Sequence, residues 1–184
     1  MKKRELPVMM RKNVKSNFLL ILAGSFLVLL AAFLFLIPLE RTESNIDIMS
    51  VVMILSGFLF ILSFSKNKRG YFRPGWILSQ GFFQMLIGCL MLFTAVFQTE
   101  NCMVIFAFWA LFTSVTQLTA SIQLRALEIK RWWWLFGFGM MNLLMSVYFF
   151  LDPIGEFISF LTSAAFQLLL VGIMAYMESI TYSR

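Results

Sequence analysis

The residues of this chain that could do chemistry are few, and most are uncharged. Gln80 and Gln84 stand four apart, so on a helix they share one face. Ser114, Gln117, Gln123, Asn142 and Gln167 are likewise set inside long apolar stretches. The chemistry of amides and hydroxyls is hydrogen bonding, either across helices or to a bound solute. Two readings are open. The amides staple helices together, at about 0.6–2 kcal/mol per bond. Alternatively, Gln80, Gln84, Ser114, Gln117 and Asn142 line a small polar cavity near a common axis. No Asp, Glu, Lys or Arg lies deep in an apolar run, and Glu178 stands at the inner end of the last one. Buried ionisable groups mark ion and proton paths, so their scarcity argues against a pump.

Nothing in the sequence supplies a catalytic set. There is no histidine, hence no ordinary general base, pH switch or imidazole metal ligand. Cys89 and Cys102 fall at different depths, whereas a disulfide needs Cα atoms within about 7 Å; both read as small apolar fillers. Walker loops, selectivity filters and paired nucleophile–base motifs are missing. The expectation is a protein that is not an enzyme and holds no cofactor or metal. Glu40, Glu43, Asp47, Glu100, Asp152 and Glu156 lie in short turns between apolar runs, several beside helix starts. There a carboxylate meets unpaired N–H groups and the positive end of the helix dipole. These acids are read as caps, with a cation site as the alternative. If the protein senses acid directly, they are the groups to do it, titrating near pH 4–5 when unperturbed.

The elements that position these residues must be membrane helices. Hydrophobic residues make up 60% of the 184, and only 13% are charged; a soluble core of this size could not hide 22 Phe, 13 Met and 5 Trp. The net charge of +6 does not point to nucleic acid, because the basic residues cluster between the apolar runs. The partner expected is the lipid bilayer, and a homo-oligomer is compatible with the pattern.

Residues 1–16 form a basic tail with six Lys/Arg. The run behind it is too long for a secretory leader and lacks a small-x-small cleavage site, so it is read as a retained helix. Six helices are expected at 18–38, 48–64, 76–97, 102–124, 132–151 and 154–177, the second rather short and open to extension at either end. At about 1.5 Å per residue each crosses or nearly crosses a hydrocarbon layer of about 30 Å. Fourteen of the fifteen basic residues fall on one side, the exception being Arg41, which puts both termini in the cytoplasm. Trp76 and Trp132-Trp133-Trp134 follow basic loops and would form an aromatic belt, with indole N–H groups toward the headgroups; a Trp ligand platform is the alternative.

An internal repeat organises the whole. Gly24, Gly81 and Gly139 superpose at a period of 57–58 residues. Seven residues on stand Ala31, Gly88 and Ser146; fourteen on, Pro38, Ala95 and Pro153; thirty-three on, Gly57, Ser114 and Gly172. Small residues let helix backbones approach in lipid, where packing drives association. The small residues of each first helix should therefore line close contacts, received by Gly57, Ser114 and Gly172. The fold expected is all-α and polytopic: three tandem hairpins, at 17–66, 67–125 and 126–184, with approximate threefold symmetry about the membrane normal. Two crossings per copy keep every copy in one orientation, which excludes an inverted repeat.

The pattern Trp76-x4-Gly81-x6-Gly88, Trp134-x4-Gly139 with Pro153, and the set Gly57/Ser114/Gly172 resembles the HdeD-like acid-resistance membrane proteins, whose unit is a short repeated two-helix domain. The resemblance covers about residues 17–178, although the first copy lacks the leading Trp and has Ala31 in place of a glycine. It implies a bacterial inner-membrane protein tied to acid or envelope stress, with no catalytic residues to carry over. The alternative function is a small-solute channel or transporter with an axial polar cavity.

Overall fold

A computed structural model describes residues 14–36, 42–66, 75–94, 99–151 and 160–182. The described elements are six α-helices: α1 (Val14–Leu36), α2 (Thr42–Lys66), α3 (Gly75–Thr94), α4 (Thr99–Ala126), α5 (Trp132–Leu151) and α6 (Phe160–Tyr182). Each contains a stretch long and apolar enough to cross a membrane. Hydropathy marks the apolar middle of a helix but not its ends. So α2 begins six residues before the apolar run, through Thr-Glu-Ser-Asn, because backbone hydrogen bonding continues into polar surroundings. The marks at Pro38, Ala95 and Pro153 lie outside the described residues, as do the first six residues of the last expected helix.

The distribution of side chains is that of a protein whose solvent is lipid. Leu29, Phe82, Phe93, Leu144 and Leu151 face outward. Among the described side chains, fifteen polar or charged ones are buried, including Gln80, Gln84, Gln117, Asn142, Gln167 and Glu178. Apolar surface gains nothing by leaving hydrocarbon, so the interior collects what lipid cannot hydrogen-bond.

Helix pairing follows the small residues. The most extensive packing is between α2 and α3, α4 and α5, and α1 and α6; within the hairpins α1–α2 and α3–α4 it is lighter, and α5–α6 is lightest. The heaviest contacts thus join one hairpin to the next, and α6 returns to lie against α1. In the α2–α3 pair, a Cβ built on Gly81 would lie 2.7 Å from Phe60 Cβ and 2.8 Å from the Gly57 carbonyl oxygen. At α1–α6, a Cβ on Gly24 would lie 2.8 Å from the Gly172 carbonyl oxygen. At α4–α5, Gly139 meets the Leu118 side chain at 2.9 Å. The three atoms nearest that Cβ all belong to Leu118; Ser114, the expected receiver, is buried one turn earlier on the same face of α4. Leu118 corresponds to Ile61 in α2 and Tyr176 in α6, which also flank their glycines.

The seven-residue step repeats the arrangement. A Cβ on Gly88 would meet the Ser50 carbonyl oxygen at 2.8 Å, and Ser146 Oγ donates to the Ala107 carbonyl oxygen at 3.0 Å. Ala31 is fully buried in α1. All nine small residues named from the repeat are buried.

The turn from α4 to α5 closes with a Schellman arrangement. Glu128 sits at φ 57°, in the left-handed region. Ile129 N–H donates to the Leu124 carbonyl at 3.0 Å, and Glu128 N–H to the Arg125 carbonyl at 3.0 Å. Ile129 then packs against the core.

Candidate functional site

The polar residues that the fold gathers lie on the inner faces of α3, α4, α5 and α6. Gln80 and Gln84 are 1% and 0% exposed, as their shared face requires, and Ser114, Gln117, Asn142 and Gln167 are buried on the other three helices. Gln123, also singled out by composition, faces outward.

Asn142 is the hub. Its Nδ2 donates to Gln117 Oε1 at 3.0 Å, tying α5 to α4. The same nitrogen donates to the Phe138 carbonyl at 2.8 Å, within its own helix. Its Oδ1 accepts from Gln167 Nε2, tying α5 to α6. That bond matters because α5 and α6, though neighbours in sequence, pack lightly on each other. Gln84 Nε2 donates to Ser56 Oγ at 2.6 Å, joining α3 to α2. Ser25 Oγ and the Tyr176 hydroxyl, 2.7 Å apart, bond α1 to α6.

These bonds satisfy only part of the set. Both amide atoms of Gln80, Gln84 Oε1, Gln117 Nε2, Gln167 Oε1, Thr113 Oγ1, Ser114 Oγ, Ser163 Oγ and Trp109 Nε1 are buried without a hydrogen-bond partner among the described residues. Orphaned polar atoms are costly in a low-dielectric interior, and here they concentrate on the same inner surfaces as the bonded amides.

Two placements correct the sequence reading. Trp76 does not stand in an aromatic belt with its indole toward headgroups. It is 8% exposed, and its Nε1 donates to Glu178 Oε1 at 3.2 Å. The bond crosses from α3 to α6 over a separation of 102 residues, which no local pattern reveals. Glu178, read as the inner end of the last apolar run, is 0% exposed within the span Leu161–Ile180, so an acidic group is buried after all. By contrast Trp133 and Trp134 are exposed and stack with ring centroids 4.2 Å apart. Trp132 is half-buried under the Arg125 guanidinium, 5.1 Å from its ring centroid.

Of the turn carboxylates, Asp47 is exposed; Glu40, Glu43, Glu100, Asp152 and Glu156 lie outside the described residues or side chains. Cys89 is a free thiol on the outer surface rather than a filler inside; the Cys102 side chain is outside the described set. Among the described residues no group of three or more His, Cys, Asp and Glu could hold a metal ion.

Beyond the amide set lies an aromatic cluster. Phe106, Trp109 and Phe149 are almost wholly buried. Phe106 meets Trp109 and Phe149 edge-on at 5.2 and 6.0 Å between centroids. Phe149 is near the end of α5 and Phe106 near the start of α4, so these rings fill the half of the bundle remote from the α4–α5 turn. The amides stand nearer that turn and the middle of the helices.

No curated protein and no solved structure matches the chain. A family model does, twice: the short repeat of unknown function, DUF308, matches residues 22–93 and 80–151. The two matches start 58 residues apart, at 22 and 80, which is the spacing of Gly81 and Gly139. Each begins in the first helix of one hairpin and ends in the first helix of the next, so each takes in one heavy contact between hairpins. The chain is a multi-pass helical protein that belongs to the DUF308 family of short repeats.

Proposed function

We propose that this chain is a non-catalytic protein of the bacterial inner membrane, with both termini in the cytoplasm, and that it supports tolerance of acid or envelope stress. Its six helices form three tandem hairpins around an approximate threefold axis along the membrane normal. The observation that carries the architecture is the recurrence of one contact at three interfaces: Gly81 on α2, Gly139 on α4, Gly24 on α6. A ring closed by α1 against α6 is what a threefold arrangement of hairpins requires. The charge asymmetry of the turns supports the orientation. The non-catalytic reading rests on the chemistry of the gathered groups, which are amides and hydroxyls with one carboxylate. The stress role rests on the resemblance to HdeD-like proteins, which carry this repeat.

The test is deletion of the gene followed by acid challenge and by envelope challenge with detergent or osmotic shock. Reduced survival that is restored by the wild-type chain is the expected result. Unchanged survival in every challenge removes the stress role. Reporter fusions at either terminus test the orientation, which fails if either reports from outside the cytoplasm.

A second reading, a small-solute channel or transporter, is favoured by one observation: Gln80, Thr113, Ser114 and the free ends of Gln84, Gln117 and Gln167 are buried without partners among the described residues. A solute or water column would give these atoms partners. Liposomes containing the protein should then pass small polar solutes faster than empty ones, and replacement of Gln84 by Leu should slow them. Equal rates with and without protein exclude this reading.

A further inference from the structure

Glu178 is the buried carboxylate of the described chain, and its surroundings are unusual for a structural acid. It is 0% exposed, in the last turns of α6. One oxygen, Oε1, accepts from the Trp76 indole; the other, Oε2, has no partner among the described residues. An ionised carboxylate inside a membrane protein calls for a counter-charge, and a neutral indole is none. One turn along α3 from Trp76, about 6 Å deeper at the helical rise, stands Gln80. It is 1% exposed, and among the described residues neither its amide oxygen nor its amide nitrogen has a partner. A carboxylate oxygen, a carbonyl oxygen and an amide N–H are thus buried, without partners among the described residues, on two helices that the Trp76–Glu178 bond joins.

Among the described side chains, no other titratable group supplies the missing charge. The described side chains of α1 hold none, and on α3 the sole candidate is Cys89, which faces outward. On α6 itself, Tyr176 is bonded to Ser25. Lys66 of α2, Arg125 of α4, and Glu128, Lys130 and Arg131 of the following turn lie at the same end of the bundle, exposed or half-buried. On α5, Tyr148 belongs to the opposite end.

We propose that Glu178 and Gln80 form a site for one exchangeable monovalent cation, a proton or an alkali-metal ion, entered from the end of the bundle where α6 terminates. Gln80 suits both states of such a site. When Glu178 holds a proton on Oε2, that O–H donates to Gln80 Oε1. When the proton leaves, Oε2 accepts from Gln80 Nε2 after the amide turns over. An alkali ion would instead sit between Oε2 and Gln80 Oε1, two hard oxygen ligands, and complete its shell with water. The site is independent of the stress role.

The experiment is infrared difference spectroscopy on the full chain in lipid nanodiscs. The carboxyl C=O stretch is followed from mildly acidic to mildly alkaline pH in choline chloride, then against sodium, potassium and lithium at fixed pH. A protonated-carboxyl band that titrates in the wild type and is lost in Glu178→Gln is expected. A response to pH alone identifies the proton, and displacement by one alkali ion at fixed pH identifies that ion. A Glu178 band unmoved by pH and by every salt overturns the proposal, as does a spectrum identical in wild type and Glu178→Gln. Gln80→Leu, which leaves the Trp76 bond in place, should displace the titration midpoint. An unchanged midpoint in that variant removes Gln80 from the site and overturns the proposal as stated, whether or not Glu178→Gln folds.

Discussion

Gly57 and Gly81 present their backbones to one another across α2 and α3, so that a Cβ on either would lie 2.7–2.8 Å from the other's carbonyl oxygen. Side chains do not tolerate that approach, and the neighbours are backbone atoms of packed helices, which cannot swing aside. Gly81→Ala should therefore push the pair apart and cost about 1–3 kcal/mol, the range for overpacking. Gly137, which has nothing within 4 Å of a built Cβ, is the matched control. Gly137→Ala should be neutral or gain about 0.5–1 kcal/mol from better helix propensity. Thermal midpoints of the two variants in one detergent check both statements. Equal effects at both glycines would mean that close approach does not hold α2 against α3.

Asn142 connects three helices through Gln117 and Gln167. Asn142→Leu should lose about 0.6–2 kcal/mol for each bond and leave both partners unpaired. Double-mutant cycles of Asn142→Leu with Gln117→Leu and with Gln167→Leu should show strong non-additivity. Additive losses would show that the three amides act separately. The α5–α6 pair should feel the loss most, being lightly packed otherwise.

The Trp76–Glu178 bond ties α3 to α6, helices that belong to different hairpins. Trp76→Phe keeps the ring but removes the donor. It should cost about 1–3 kcal/mol, since a buried acceptor loses its partner. The same substitution should have little effect in a Glu178→Leu background, where no acceptor remains. Unfolding by graded denaturant in lipid bicelles provides the measurement. A full-sized effect in that background would assign the loss to packing of the ring alone.

Glu128 adopts a left-handed conformation that costs a non-glycine residue about 1–2 kcal/mol. Glu128→Gly should relieve it and raise the thermal midpoint, less the added chain entropy of glycine in the unfolded state. A lowered midpoint would indicate that the Glu128 side chain contributes more than its backbone costs.

Because α6 lies against α1, the order of hairpins along the chain can change without altering their neighbours. A circular permutant that starts within residues 67–74, with the original ends joined by a flexible linker, should insert and fold close to the parent's stability. Limited proteolysis and thermal midpoints would report this. Failure of the permutant to fold, with a linker of adequate length, would argue against a closed ring.

The helices were legible because lipid imposes one strong rule, long apolar runs, and the glycine contacts because close approach demands small residues at fixed spacing. Residues 132–151 illustrate this: the apolar run and α5 coincide. What escaped depends on partners distant in the chain. Trp76 looks like any interfacial tryptophan after a basic loop, and Glu178 like any acid at a helix end. Only their meeting, 102 residues apart, makes one a buried donor and the other a buried acid.

The packing of α1 against α6 also bears on how the protein is born. Of the six helices α1 is synthesised before the others, yet the backbone that fits its Gly24 belongs to Gly172, in the helix made after the other five. Until α6 is made, the face of α1 around Gly24 has no partner helix to pack against. A chain cut short before α6 would lack the partner that covers the Gly24 face of α1.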